Sequence, residues 1–155
     1  MSEGDLAWAA IEPYWDAIRI LESAEVALAD FAQTPTPARD LFAAWWLQSE
    51  VCNGGFAQFF FNSAGVLGPE AAAAFRLLGM TETAALIDRA IARLGAPYKR
   101  ELNERRAVLA ALRCDFSGSR GDCPLDSLDD PFYALITTEA GGFHANADRI
   151  AETCK

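Results

Sequence analysis

Apolar residues recur along this chain at steps of three and four, the period of helices that lie on a core. Trp8, Ile11, Trp15 and Ile18 make the first such stripe, and Pro13 inside it predicts a kink or a restart. Ser23 through Phe31 reads as a second short helix. The linker Gln33-Thr34-Pro35-Thr36-Pro37 ends by opening a third, with Thr36 suited to cap it and Pro37 to stand at its first position. That helix carries Leu41, Phe42, Trp45 and Trp46 and stops at Asn53-Gly54-Gly55, where the backbone can take positive φ and turn sharply.

A fourth, short helix is expected from Phe56 to about Asn62, followed by a turn from Gly65 to Gly68. Pro69 then opens a helix with Ala71, Ala74, Phe75 and Leu78 on one side, and Gly79 closes it. Thr81 is placed to cap the next helix, which turns Ala84, Ile87, Ile91 and Leu94 inward and stops at Gly95. Pro97 is expected to start a helix with Leu102, Leu109 and Leu112 facing in and Lys99, Arg100, Arg105 and Arg106 facing out. Residues 114–128 form a long irregular stretch before a helix opened by Asp130 and Pro131 and broken at Gly141-Gly142. The last helix shows Phe143, Ala147, Ile150, Ala151 and Cys154 on one side. No alternating run bounded by hairpin turns and no internal repeat is present. The pattern predicts an all-α fold: a single-domain bundle of about eight short to medium helices over residues 1–155, with short connections.

Composition adds limits. At 155 residues, 52% of them hydrophobic, the chain can bury a real core. No apolar run approaches a membrane span, and the start of the chain lacks the basic residues and apolar core of a secretory signal. A cytoplasmic protein without membrane contact is expected. The net charge of −9 is uneven: 9 acids face 2 bases over residues 1–62, 5 face 8 over residues 63–113, and 8 face 3 over residues 114–155. So acidic a chain is not expected to bind nucleic acid directly. Its charge serves solubility or attracts a basic partner.

Candidate chemistry is sparse. His144 is the one histidine, and no nucleophile-elbow, Walker or glycine-rich dinucleotide motif accompanies it, so no catalytic residue is assigned and no enzyme is expected. Cys52, Cys114, Cys123 and Cys154 lack zinc-ligand spacing; free thiols are the default, although Cys114 and Cys123 bracket a loop and could pair if oxidised. The acids Asp122, Asp126, Asp129 and Asp130 do not follow the EF-hand order, and helix capping by Asp129 or Asp130 explains them better. Arg120-Gly121-Asp122 is an adhesion tripeptide only outside cells and is read as chance. No metal and no cofactor is expected.

The densest signal is Glu50-x-x-Asn53-Gly54-Gly55-Phe56-x-Gln58-Phe59-Phe60-x-Asn62-Ser63. Gln58 and Asn62 share a helix face, Glu50 and Asn53 lie one turn apart on the preceding helix, and the tight turn can bring all four together. They form either a polar network that fixes the turn or a polar pocket for a ligand or a partner's side chain. This motif resembles the signature of the DNA mimic protein 19 family, small bacterial proteins otherwise described as a domain of unknown function. The resemblance continues at Trp45, the alanine-rich helix at 70–78, Leu86 to Leu94, and Leu128-Asp129-x-x-Phe132-Tyr133; it is strongest over residues 41–95. It implies an all-α fold and association with another protein, because the family takes its name from a member whose surface carboxylates imitate DNA and occupy a transcription factor's DNA-binding face. The carboxylates available here for such a surface are Asp5, Glu12, Asp16, Glu22, Glu25 and Asp30, with Asp122, Asp126, Asp129 and Asp130. The expected partner is therefore a protein, in the sharpest form a DNA-binding one. A non-mimic interaction or immunity-type module, a homodimer and a small-ligand binder at the Asn-Gly-Gly-Phe turn are the alternatives.

Overall fold

The apolar stripes become helices α1 (Asp5–Ile11), α2 (Ala24–Gln33), α3 (Ala38–Phe61), α4 (Gly68–Leu77), α5 (Thr81–Arg93), α6 (Leu102–Ala111), α7 (Asp129–Thr138) and α8 (Phe143–Glu152) in the computed structural model of the chain. The structure describes residues 1–118 and 121–153, and among these there is no strand. Arg120 of the tripeptide and Cys154 of the last stripe lie outside the described residues.

Helix α3 is the centre of the bundle and packs against α1, α4, α6 and α7. Its Leu47, Val51, Phe56, Phe59 and Phe60 are completely buried. Rings from other elements continue this core: Phe56 meets Phe132 at 5.4 Å between centroids, and Phe75 meets Phe143 at 5.6 Å. Each fully buried Phe contributes about 1.5–3 kcal/mol, so this ring cluster is a main source of stability. A second aromatic group joins Trp8, Trp15, Phe42 and Trp46, with Trp15 stacked on Trp46 at 5.1 Å. No helix among the described residues is long and apolar enough to cross a membrane.

Several local expectations are corrected. The interruption expected at Pro13 is there, but the stripe does not resume as a helix: α1 ends at Ile11, a 3₁₀ turn at Glu12–Tyr14 carries Pro13, and Trp15 and Ile18 reach the core from irregular backbone. The segment from Ser63 to Leu67 is a 3₁₀ helix rather than an open turn. Pro97 does not open α6; that helix begins at Leu102, and the Glu101 carboxylate accepts from the Glu104 N–H. Thr36, Thr81 and Asp130 do not cap. The N-cap positions fall on Pro37, Met80 and Leu128, which supply no side-chain cap. At α3 the Pro35 and Pro37 carbonyls close the first turn by accepting from Arg39 and Leu41.

Carboxylates from distant helices satisfy the open N–H groups at other helix starts. Asp148 on α8 accepts from the Gly4 and Ala7 N–H groups at 2.7 and 2.9 Å, capping α1. Glu139, just after α7, accepts from the Glu82 and Thr83 N–H groups at 2.6 and 2.8 Å and from the Thr83 hydroxyl, capping α5. The first turns of helices carry unpaired donors and a positive dipole end, so an acceptor carboxylate there is stabilising whichever element brings it.

Candidate functional site

As the sequence predicts, helical geometry stops at Gly54–Gly55 and a second helix starts at Phe56, so α3 is two helical halves joined at a kink. Gly54 has φ −151° and Gly55 has φ +82°, and helical geometry resumes at Phe56. Asp129 from the start of α7 accepts from the Phe56 N–H at 2.9 Å, so it caps the second half of α3 instead of its own helix. A Cβ on Gly55 would lie 2.3 Å from Asp129 Oδ2; glycine is required there both for its positive φ and for the approach of this carboxylate.

The structure brings together the four polar residues of the motif. Glu50 Oε2 accepts from Gln58 Nε2 and Asn62 Nδ2, both at 2.9 Å, and Asn53 Nδ2 donates to Gln58 Oε1 at 3.2 Å. Glu50 belongs to the first half of α3, Gln58 to the second, and Asn62 to its C-terminal end, so one carboxylate ties the arms of the bend. Glu50, Gln58 and Asn62 are half-buried, and Asn53 is exposed. Phe56 and Phe59 sit wholly in the core.

The C-terminal end of α3 is held by arginines that the sequence reading sent to solvent. Arg105 is fully buried. Its guanidinium donates to the carbonyls of Phe60 at 2.6 Å, Arg100 at 2.8 Å, Asn62 at 2.9 Å and Lys99 at 3.3 Å. Burial draws its pKa down. Arg106, half-buried, donates to Phe61 O at 2.8 Å and lies 4.2 Å over the Phe61 ring. Arg100 donates to Val66 O at 2.7 Å and pairs with Glu70, while Tyr98 donates its hydroxyl to Gly65 O. Burial pushes the Tyr98 phenol well above its usual range. Carbonyls at a helix end carry its negative dipole, which is why cations converge there. The signal for Arg105 was in the spacing: it stands three residues after Leu102 and four before Leu109, on the apolar stripe of α6.

A cleft of about 650 Å³ opens beside the bend, walled in part by Asn53, Gly54, Phe116, Asp126 and Tyr133. A Cys114–Cys123 disulfide also lines it, which replaces the expectation of free thiols at these positions; the 4.8 Å between their Cα atoms allows the bond. Cys52 is free and exposed.

The ten candidate acids divide. Asp5, Glu12, Asp16, Glu22, Glu25 and Asp130 are exposed, although Asp5 accepts from the Ser2 N–H at 2.6 Å and Glu22 lies 3.9 Å from Arg19. Asp129 caps α3. Asp30 takes three bonds from Arg19, which hold its carboxyl below the usual carboxylate range. Asp122 pairs with Arg113 at 3.2 Å, and Asp126 accepts from the Gly121 N–H at 3.0 Å. These last four are engaged within the fold and do not form a free array with the others. His144 packs edge-on against Trp45 and Phe143, as a packing residue does. Among the described residues no group of three or more His, Cys, Asp or Glu side chains could hold a metal ion.

Comparison with known families agrees with the motif. The family model described as DMP19-like protein matches residues 32–152, and the chain belongs to that family. No curated protein and no solved structure matches the chain.

Proposed function

We infer that the chain is a non-enzymatic regulator that acts by binding another protein through exposed carboxylates. One observation carries this reading. Glu3, Asp5, Glu12, Asp16, Glu22 and Glu25 are exposed within the first 25 residues, and the one basic side chain of that segment, Arg19, is held by Asp30, with Glu22 3.9 Å away. Bases on and just before α6 support it from the other side. Arg105 and Arg106 direct their guanidinium groups to carbonyls of the fold, and Arg100 pairs with Glu70, so these cations are drawn away from the exposed N-terminal acids. In its sharper form, the partner is a DNA-binding protein whose basic face accepts these carboxylates in place of phosphates. The exposed N-terminal acids precede residue 32, where the family match begins, so this reading rests on the chain's own surface rather than on the shared motif.

Affinity capture from a lysate of the cell that makes the protein, at low and high salt and with competing duplex DNA, tests it. Recovery of a DNA-binding protein that salt or DNA displaces supports the decoy. A partner retained by the variant Glu12→Lys/Asp16→Lys/Glu22→Lys/Glu25→Lys as well as by the parent overturns the acidic-surface reading. The cleft beside Asn53 and Gly54 favours a second reading, small-ligand binding at the turn, which ligand-dependent stabilisation in a thermal screen would support.

A further inference from the structure

A second groove, of about 400 Å³, shares no wall with the cleft at the bend. Leu6, Ala9 and Ala10 of α1 form one side; Tyr14, Pro35 and Pro37 form others. Its floor is apolar and made largely of small or rigid side chains, which allow another backbone to come close. Ala9 is exposed, and Leu6, Ala10 and Tyr14 are only half-buried, so the groove is open to a visitor.

The rim is acidic. Asp5, Ala9 and Glu12 stand at i, i+4 and i+7, which places both carboxylates along the same stripe as a groove residue; Asp16 follows Tyr14 by two. All three acids are exposed. Between residues 1 and 18 there is no Lys or Arg to offset them. An apolar trough edged along its α1 side by carboxylates is complementary to a surface that is apolar along its centre and cationic along one flank. Helices present such a surface through residues at i, i+3, i+4 and i+7. An extended basic tail would meet the rim but leave the floor unfilled, and an anionic partner would be repelled.

We propose that this groove seats a basic amphipathic helix of a partner protein, with its apolar face on Ala9, Ala10 and Pro35 and the Lys or Arg residues of one flank at Asp5 and Glu12. This rests on the protein-binding reading above and adds the chemistry of the partner element.

The test is calorimetric titration of the full chain with three synthetic peptides of equal length. One is an amphipathic Leu/Lys helix, the second has the same composition scrambled, and the third is an amphipathic Leu/Glu helix. The groove predicts saturable one-to-one binding of the Leu/Lys helix alone. Ala9→Trp, which fills the trough from an exposed position, and Asp5→Lys/Glu12→Lys, which reverses the charge beside α1, should each weaken it at least tenfold while the protein stays folded by circular dichroism; the second also removes a first-turn acid of α1 and lowers the melting temperature slightly. Glu22→Lys/Glu25→Lys, outside the lining, should change it less than threefold. Scrambled peptide binding within threefold of the helical one overturns the groove and leaves the acidic-surface reading standing. Equal binding of the Leu/Glu helix, absence of saturable binding by the Leu/Lys helix, or indifference to both groove variants also overturns it. Failure of the broader reading is seen separately, in capture that ignores the N-terminal acids.

Discussion

Replacing Arg105 by methionine should be among the most damaging single changes in this protein. The side chain is wholly buried, and its guanidinium reaches four carbonyls. The four bonds are not equal. The bond to Lys99 O is long at 3.3 Å, and Asn62 O also accepts from the Gly65 N–H. The short bonds to Phe60 O and Arg100 O, at 2.6 and 2.8 Å, have most to lose. A buried polar group left unpaired costs about 1–3 kcal/mol, so these two together set a loss of about 2–6 kcal/mol. Methionine packs the space and relieves the cost of burying a charge, which leaves a net loss of about 3 kcal/mol. For a chain of this size that lowers the melting temperature by about 6–12 °C. Urea denaturation followed by tryptophan fluorescence, with calorimetry alongside, measures both. Arg106→Met, which loses one carbonyl bond from a half-buried site, should cost less, about 1 kcal/mol. An Arg105→Met protein within 0.5 kcal/mol (approximately) of the parent, inside the usual range of surface substitutions, would refute the claim that this cation organises the end of α3.

Three further outcomes are expected. Gly55→Ala should cost about 1–3 kcal/mol through its backbone conformation alone, and more because its Cβ would displace Asp129. Gly95→Ala, at φ +88° with open space around it, should show only the backbone cost, and equal losses at both sites in urea melts would remove Asp129 from the explanation. Gln58→Ala breaks the bonds to Glu50 and Asn53 and should cost about 1 kcal/mol, the size expected for a half-buried network; an unchanged melt would shift weight to the ligand reading. The Arg19–Asp30 pair gives acid sensitivity a sign. Asp30's folded pKa lies below its ordinary 3.8, so between the two values the unfolded chain binds more protons. The stabilisation is complete above 3.8 and is lost as pH falls through the folded value, so the parent's advantage over Asp30→Asn in urea midpoints should shrink below that pH.

Local periodicity made most of the helices legible, because apolar residues at steps of three and four report a core face wherever it lies. The Gly54–Gly55 bend and the meeting of Glu50, Asn53, Gln58 and Asn62 were legible for a similar reason: all lie within 13 residues of each other. What the pattern could not show were the long-range partners. Arg105 binds a carbonyl 45 residues away, Asp129 an N–H 73 away, and Asp148 an N–H 144 away. A charged residue in a local window reads as solvent-facing, and Thr36 or Thr81 reads as a cap, because nothing nearby announces that a distant carboxylate or a proline carbonyl will satisfy the helix end. The same blindness overfilled the candidate acidic surface. Asp30, Asp122 and Asp126 look free in sequence and are engaged in the fold, and Asp129, expected to cap its own helix, caps the second half of α3.

Two populations of carboxylate follow: inner ones that cap distant helices, and outer ones left for a partner. Their separation is measured most directly by comparing thermal and urea stability of Asp129→Ala/Glu139→Ala/Asp148→Ala with that of Glu12→Gln/Asp16→Asn/Glu22→Gln/Glu25→Gln. The inner set should lose about 3 kcal/mol, about 1 kcal/mol per cap, since the three carboxylates serve three different helix starts. The outer set should stay within about 1 kcal/mol of the parent, with no cap lost and self-repulsion reduced. Equal losses in the two sets would contradict the division and remove the basis for reading the N-terminal acids as a binding surface.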